Sequence, residues 1–215
     1  GSAPAGFTAA RSIDASGLVV APGLIDLAAR LREPGFEYKA TLESEMDAAM
    51  AGGVTSLAIP PDTDPVLDEP GLVEMLCYRA KKLNRAHVYP VGALTIGLKG
   101  EQLSEMAELV EAGCVAFSQA NTPILDTRVL SRAMQYAATF GFRVWLQPLD
   151  PYLARGGVAH DGEVASRLGL PGIPASAEIV ALYTYLRLAR QTGARLHITR
   201  LSCADSLDLI AQARQ

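Results

Sequence analysis

Histidine and cysteine are scarce in this chain, at three residues each among 215, and each shortage narrows the chemistry. Cys77, Cys114 and Cys203 are an odd number at wide spacing with no Cys-x-x-Cys pair. That pattern fits reduced thiols better than a disulfide framework or a zinc cluster. His87, His160 and His197 stand without a Ser-His-Asp or Cys-His context, so no nucleophilic triad is legible. No signal peptide, transit peptide or long apolar run is present, and cytoplasm is the expected location. Gly1-Ser2 is compatible with a tag-cleavage scar, which leaves room for a natural start farther upstream. A basic stripe is missing too. The net charge of -4 argues against nucleic acid as a partner, and Arg79-Ala-Lys-Lys82 with Arg85 reads as the solvated end of a helix.

What is there is a rhythm. With 49% hydrophobic and 20% charged residues, the chain has the profile of a globular domain with a real core. Short apolar runs bounded by Gly or Pro occur at 23–28, 54–59, 87–94, 114–118, 142–147 and 195–200, as expected of parallel strands covered on both faces. Amphipathic stretches predict helices at 41–51, 71–83, 101–112, 127–139 and 177–192, with another starting near Ala204. Several stop at glycine, at Gly52, Gly113, Gly141 and Gly193. Such strand-helix units build a doubly wound sheet or a (β/α)8 barrel, and no Gly-x-Gly-x-x-Gly follows the first strand to favour dinucleotide binding. Six units fall short of the eight that close a barrel, so the sheet is open or the chain is part of a larger barrel; the second is favoured. Residues 149–174 break the rhythm with Gly156-Gly157, Gly162, Pro171-Gly172 and Pro174. They read equally well as a surface excursion and as a lid or partner-binding loop.

The stretch Ala21-Pro-Gly-Leu-Ile-Asp-Leu-Ala-Ala-Arg-Leu-Arg-Glu-Pro-Gly35 carries the sharpest signal. Together with Pro61-Asp-Thr-Asp-Pro65, Gly97-Leu-Lys-Gly-Glu101, Glu111-Ala-Gly-Cys-Val-Ala-Phe-Ser118, Gly169–Pro174 with Glu178, and Gly193-Ala-Arg-Leu-His197, it resembles the dihydroorotases and related cyclic amidohydrolases. The order and spacing of these pieces over nearly the whole chain are more specific than any one of them. The resemblance implies an α/β fold, a (β/α)8 TIM barrel of the metal-dependent amidohydrolase type, of which this chain covers about the first six units. Residues 1–22 would be the remnant of a small β-module, and residues 23–215 the partial barrel.

Members of that family interconvert carbamoyl aspartate and dihydroorotate, with divalent metal, usually zinc, generating hydroxide and polarising the amide. Their His-x-His pair would fall on Ala28 and Arg30. The later ligands would fall on Gln119, Gln147 and Arg200. Alanine offers no lone pair, arginine is a donor-only cation, and glutamine is a poor ligand for zinc. An arginine ~6 Å from a divalent ion would oppose it by about 5 kcal/mol at an effective dielectric of ~20. No catalytic residue, no metal and no cofactor are therefore expected. Arg32 matches the arginine that grips the substrate carboxylate, and Asp62 replaces the asparagine that assists it, so both are expected to be vestigial substrate-binding residues. Arg30, Arg32 and Arg200 are expected to neutralise Asp26 and Asp62 internally, with an anion pocket as the alternative.

The function implied by the resemblance is that of a non-catalytic dihydroorotase-like protein in pyrimidine biosynthesis, a structural partner of aspartate transcarbamoylase. Two alternatives are a metal-free domain that binds an anion or a pyrimidine precursor, and an active cyclic amidohydrolase with displaced ligands. Self-association is expected as well, because an incomplete barrel leaves strand edges and apolar faces uncovered.

Overall fold

A computed structural model describes residues 4–214; Gly1, Ser2, Ala3 and the final Gln215 of the expected domains lie outside the described residues. Six parallel strands, β1 (Leu24–Asp26), β2 (Val54–Ile59), β3 (His87–Ala93), β4 (Ala116–Ser118), β5 (Arg143–Leu146) and β8 (Arg195–Ile198), form one curled half-barrel sheet. Their spatial order is their chain order, with pairs such as Asp26–Leu57, Ala58–Tyr89, Gly92–Phe117 and Val144–Leu196 fixing the register. Each strand is therefore reached from its neighbour by a crossover, as the alternating pattern predicts.

Local chemistry accounts for the helix limits. α1 (Leu42–Ala51) opens on a capping box, in which Thr41 Oγ1 accepts from the Ser44 amide and Ser44 Oγ from the Thr41 amide. α2 (Pro70–Leu83) starts on a proline, whose missing N–H is no loss there, and ends at Asn84 in the left-handed region. α4 (Thr127–Phe140) is capped by Asp126, which accepts from the Arg128 amide at 2.8 Å. α6 (Ala175–Thr192) and α7 (Asp205–Ala213) flank β8. α3 is shorter than its sequence pattern predicts. It spans Met106–Glu111 rather than 101–112, because the 3-10 turn Ile96–Leu98 and positive-φ Gly97 and Gly100 hold residues 96–100 out of helix, and Leu103 bridges to Thr95.

The sheet has two different faces. Leu57, Ile59, Phe117, Val144 and Leu146 point to the helices and form two apolar cores, with Leu42, Met46 and Leu76 in one and Leu94, Met106, Leu109, Leu130 and Met134 in the other. The other face carries Ala58, Val91, Ala116 and Trp145, followed by His197, whose ring is tilted against Trp145 with centroids 5.0 Å apart. Small residues on this face leave room for the sheet to curl. Gly92 shows how tight the helix side is: a Cβ there would stand 2.9 Å from the Phe117 ring.

The two ends of the sheet contrast with its middle. β4 is buried throughout, whereas β1 is exposed throughout, with Leu24 and Ile25 showing 63% and 66% of their surfaces. Residues 149–174 contain more order than a loop reading implies. They fold into a two-stranded parallel ribbon, β6 (Ala159–His160) with β7 (Gly172–Ile173), and a short helix α5 (Glu163–Leu168). Tyr152, Val158, Val164 and Leu168 are exposed along it. No helix among the described residues is long and apolar enough to cross a membrane.

Candidate functional site at the carboxyl ends of the strands

In a parallel half-barrel the carboxyl ends of the strands and the loops that follow them form one rim, the usual place for ligands. Three of those loops converge here. Arg30 follows β1, Asn121 follows β4 and Arg200 follows β8, and both guanidinium groups donate to the same Asn121 Oδ1, Arg30 Nη2 at 3.3 Å and Arg200 Nη1 more closely. Arg200 Nη2 also donates to the Ala120 carbonyl at 3.2 Å. Two cations thus share one neutral oxygen. If their centres lie ~6 Å apart, their repulsion at an effective dielectric of ~20 is at most about 3 kcal/mol, less after solvent screening.

One carboxylate offsets part of this charge. Arg30 Nε donates to Asp62 Oδ2 at 2.8 Å, with both side chains about three-quarters buried. Asp62 Oδ1 is buried and has no partner among the described residues. A void of about 10 Å³ beside it, lined by Arg30, Arg32, Phe36 and Thr63 among others, is the size of one water. Burial, and then Arg30, hold the Arg200 guanidinium below its ordinary pKa, while Asp62 opposes them. The backbone is tense here as well. Arg32, Ala120 and Arg200 all adopt positive φ, at 64°, 51° and 56°, a region costly for side chains other than glycine.

The remaining positions of interest behave differently from one another. Gln119 is buried at 2% exposure, and its amide exchanges hydrogen bonds with Thr95 Oγ1, at 2.8 Å as donor and 3.1 Å as acceptor. Gln147 is half-buried beyond β5, with no side-chain hydrogen bond among the described residues. Ala28 presents only a methyl group and is exposed. Its amide donates to Asp26 Oδ1, so Asp26 caps a turn and does not join the arginines. The expected network of three arginines with Asp26 and Asp62 is thus reduced to a single ion pair, Arg30 with Asp62. Arg32 makes no side-chain hydrogen bond or ion pair among the described residues. It lines, with Ala28, Arg30 and α1, a cleft of about 410 Å³ along the outer flank of β1.

Other residues matter without standing at an expected ligand or substrate position. Asn121, which joins the two arginines, lies 91 and 79 positions from them in the chain. Arg79 is not simply a solvated helix end: it pairs with Glu33, whose 4% exposure demands a countercharge and which also caps α1 by accepting from the Leu42 amide. Glu178, at 5% exposure, accepts from the Ser202 amide and hydroxyl, the Cys203 amide and the Ser206 hydroxyl. It ties the loop carrying Arg200 to α6. Cys114 lies in the core, where burial, and then Cys77, push its thiol up to about 12, too high for a nucleophile. Among the described residues, no three His, Cys, Asp or Glu side chains assemble in an arrangement suited to a metal ion.

The family model described as dihydro-orotase-like matches residues 17–206. A dihydroorotase-like protein of Pseudomonas putida is 52% identical over 215 residues, all of this chain and 51% of that protein. Another from Pseudomonas aeruginosa is 51% identical over 214 residues. A protein named dihydroorotase from Pelotomaculum thermopropionicum is 46% identical over 206 residues, 95% of this chain and 48% of its own. Among solved structures, an L-hydantoinase of Arthrobacter aurescens superposes with a TM-score of 0.78 at 20% identity, over 97% of this chain and 48% of its own. The chain spans about half the length of the curated relatives it matches.

Proposed function

The chain belongs to the dihydroorotase-like family of the amidohydrolase superfamily, and from that footing we propose that it is a non-catalytic member that acts in pyrimidine biosynthesis as a structural partner of aspartate transcarbamoylase. One observation supports the chemical half: at the rim, two guanidinium groups, on positions to which the sequence resemblance assigns metal ligands, meet on the Asn121 amide oxygen. The donor set does not fit zinc. Ala28 has no donor atom, Arg30 and Arg200 are cations, the Gln119 amide is engaged by Thr95, and only the Gln147 amide is left. No step of ring hydrolysis is derived through a metal at such a rim.

The partner half rests on the family likeness and on surface. Residues 149–174 expose Tyr152, Val158, Val164 and Leu168 on a folded excursion beside the rim, the type of apolar display that marks protein contacts. Association with further copies of the chain belongs to the same reading, through the uncovered β1 and β8 edges. Co-expression of the full-length protein with the transcarbamoylase catalytic chain, followed by sizing with light scattering, tests it. A shared peak is expected; two separate peaks at all concentrations would count against the partnership. A dihydroorotate ring-opening assay in added zinc is the companion test, and turnover above the uncatalysed rate would favour an active amidohydrolase instead.

A further inference from the structure

We propose that Arg30, Arg200 and Asn121 form a binding site for a small oxyanion, a carboxylate or a phosphate, held between the two guanidinium groups at the rim. Each guanidinium carries five N–H donors in a planar fork. Arg30 directs one to Asp62 and one to Asn121, and Arg200 directs one to Asn121 and one to Ala120, leaving three on each. The meeting point is open to solvent, since both Asn121 and Arg200 are exposed. The cluster holds the two positive charges of Arg30 and Arg200 against the single carboxylate of Asp62. Asp26 does not compensate, because its side chain caps the Ala28 amide.

Two independent features separate this arrangement from an incidental arginine pair. First, a neutral amide oxygen is a weak acceptor for two cations, and an oxyanion beside it takes charge-assisted bonds from the donors left over on both forks. Second, Ala120 and Arg200 sit in left-handed backbone at the point of convergence, and Glu178 anchors the loop that carries Arg200 through Ser202 and Cys203. Glu178 thus holds the loop that presents Arg200 at the meeting point in a left-handed conformation costly for a non-glycine residue. The inference rests on the metal-free reading of the rim but not on any partner.

Calorimetry of the full-length protein with inorganic phosphate and with malonate, against chloride at equal ionic strength, tests the site. The expected result is saturable binding of one phosphate or malonate per chain below ~1 mM, with chloride silent. Arg200→Gln is expected to weaken it at least ~10-fold, Arg200→Lys to recover part of it, and Arg187→Gln on the exposed face of α6 to leave it unchanged. Among the described residues Arg200 pairs with no carboxylate, so its replacement is informative even if Arg30→Gln proves too unstable to assay. Indistinguishable heats for phosphate, malonate and chloride, or equal affinity in a folded Arg200→Gln, would overturn the site. Binding abolished by a chelator would assign the anion to a bound metal and overturn it as well. Loss of transcarbamoylase association with phosphate binding intact would sink the partner reading alone.

Discussion

Glu178 and Asp62 are both carboxylates withdrawn from water near the rim, and the chain treats them in opposite ways. Glu178 receives two hydroxyls and two backbone amides, so its charge is fully met by neutral donors. Among the described residues, Asp62 receives one arginine on one oxygen and nothing on the other, while a second arginine nearby pairs with no carboxylate. A saturated cluster is an anchor. An unsaturated cluster with surplus charge and tense backbone is where a ligand has something to gain.

That contrast can be broken by substitution, and the largest effect is expected at the anchor. Glu178→Ala strands the Ser206 and Ser202 hydroxyls and two amides, and should cost roughly 3 kcal/mol in urea unfolding of the full-length protein. A cost under ~1 kcal/mol would mean that the loop after β8 is not held through this residue. The acid limb gives the next effect. Burial raises the Glu178 pKa, but the bonds from Ser202, Ser206 and Cys203 outweigh it, and the folded value lies below the ordinary one. A depressed folded pKa stabilises above the unfolded value and loses that contribution as pH falls through the folded one. Stability should therefore decline as pH drops below the usual carboxylate range, and Glu178→Gln should flatten that decline.

Smaller effects are expected at the rim. Asp62→Asn removes a partly exposed ion pair and should cost about 1 kcal/mol, while tightening phosphate binding severalfold by removing the competing carboxylate. Weaker binding in that variant would show that Asp62 belongs to the site. Arg200→Gln should change stability by less than ~0.5 kcal/mol in either direction, since it gives up two bonds to neutral oxygens and relieves its repulsion with Arg30. A loss near that of Glu178→Ala would erase the difference between anchor and site.

How far these features could be read in advance depends on their range along the chain. The six strands are legible because each writes a local apolar run, even β1, which ends up exposed; their barrel order follows from the family resemblance, and helix stops follow from glycine, as at Gly141 and Gly193. The late start of α3 is not legible, because the helix-like pattern begins at 101 while the bridge from Leu103 to Thr95 keeps the chain extended. Ribbon β6–β7 escaped notice since two-residue strands carry no period. At the rim, Arg30, Asp62 and Arg200 could be picked out, but not how they would pair. Asp26 turned to its own backbone, and Asn121, an ordinary polar residue in a loop, became their meeting point. Glu33 with Arg79 and Glu178 with Ser206 were hidden for the same reason: each pair is joined only by folding.

Zinc stoichiometry bears most directly on the central claim that arginine has taken over the rim. Full-length protein dialysed against zinc, passed through gel filtration and measured by elemental analysis should retain far less than one ion per chain. One or more equivalents retained, and displaced when Gln119 and Gln147 are both changed to alanine, would contradict the account.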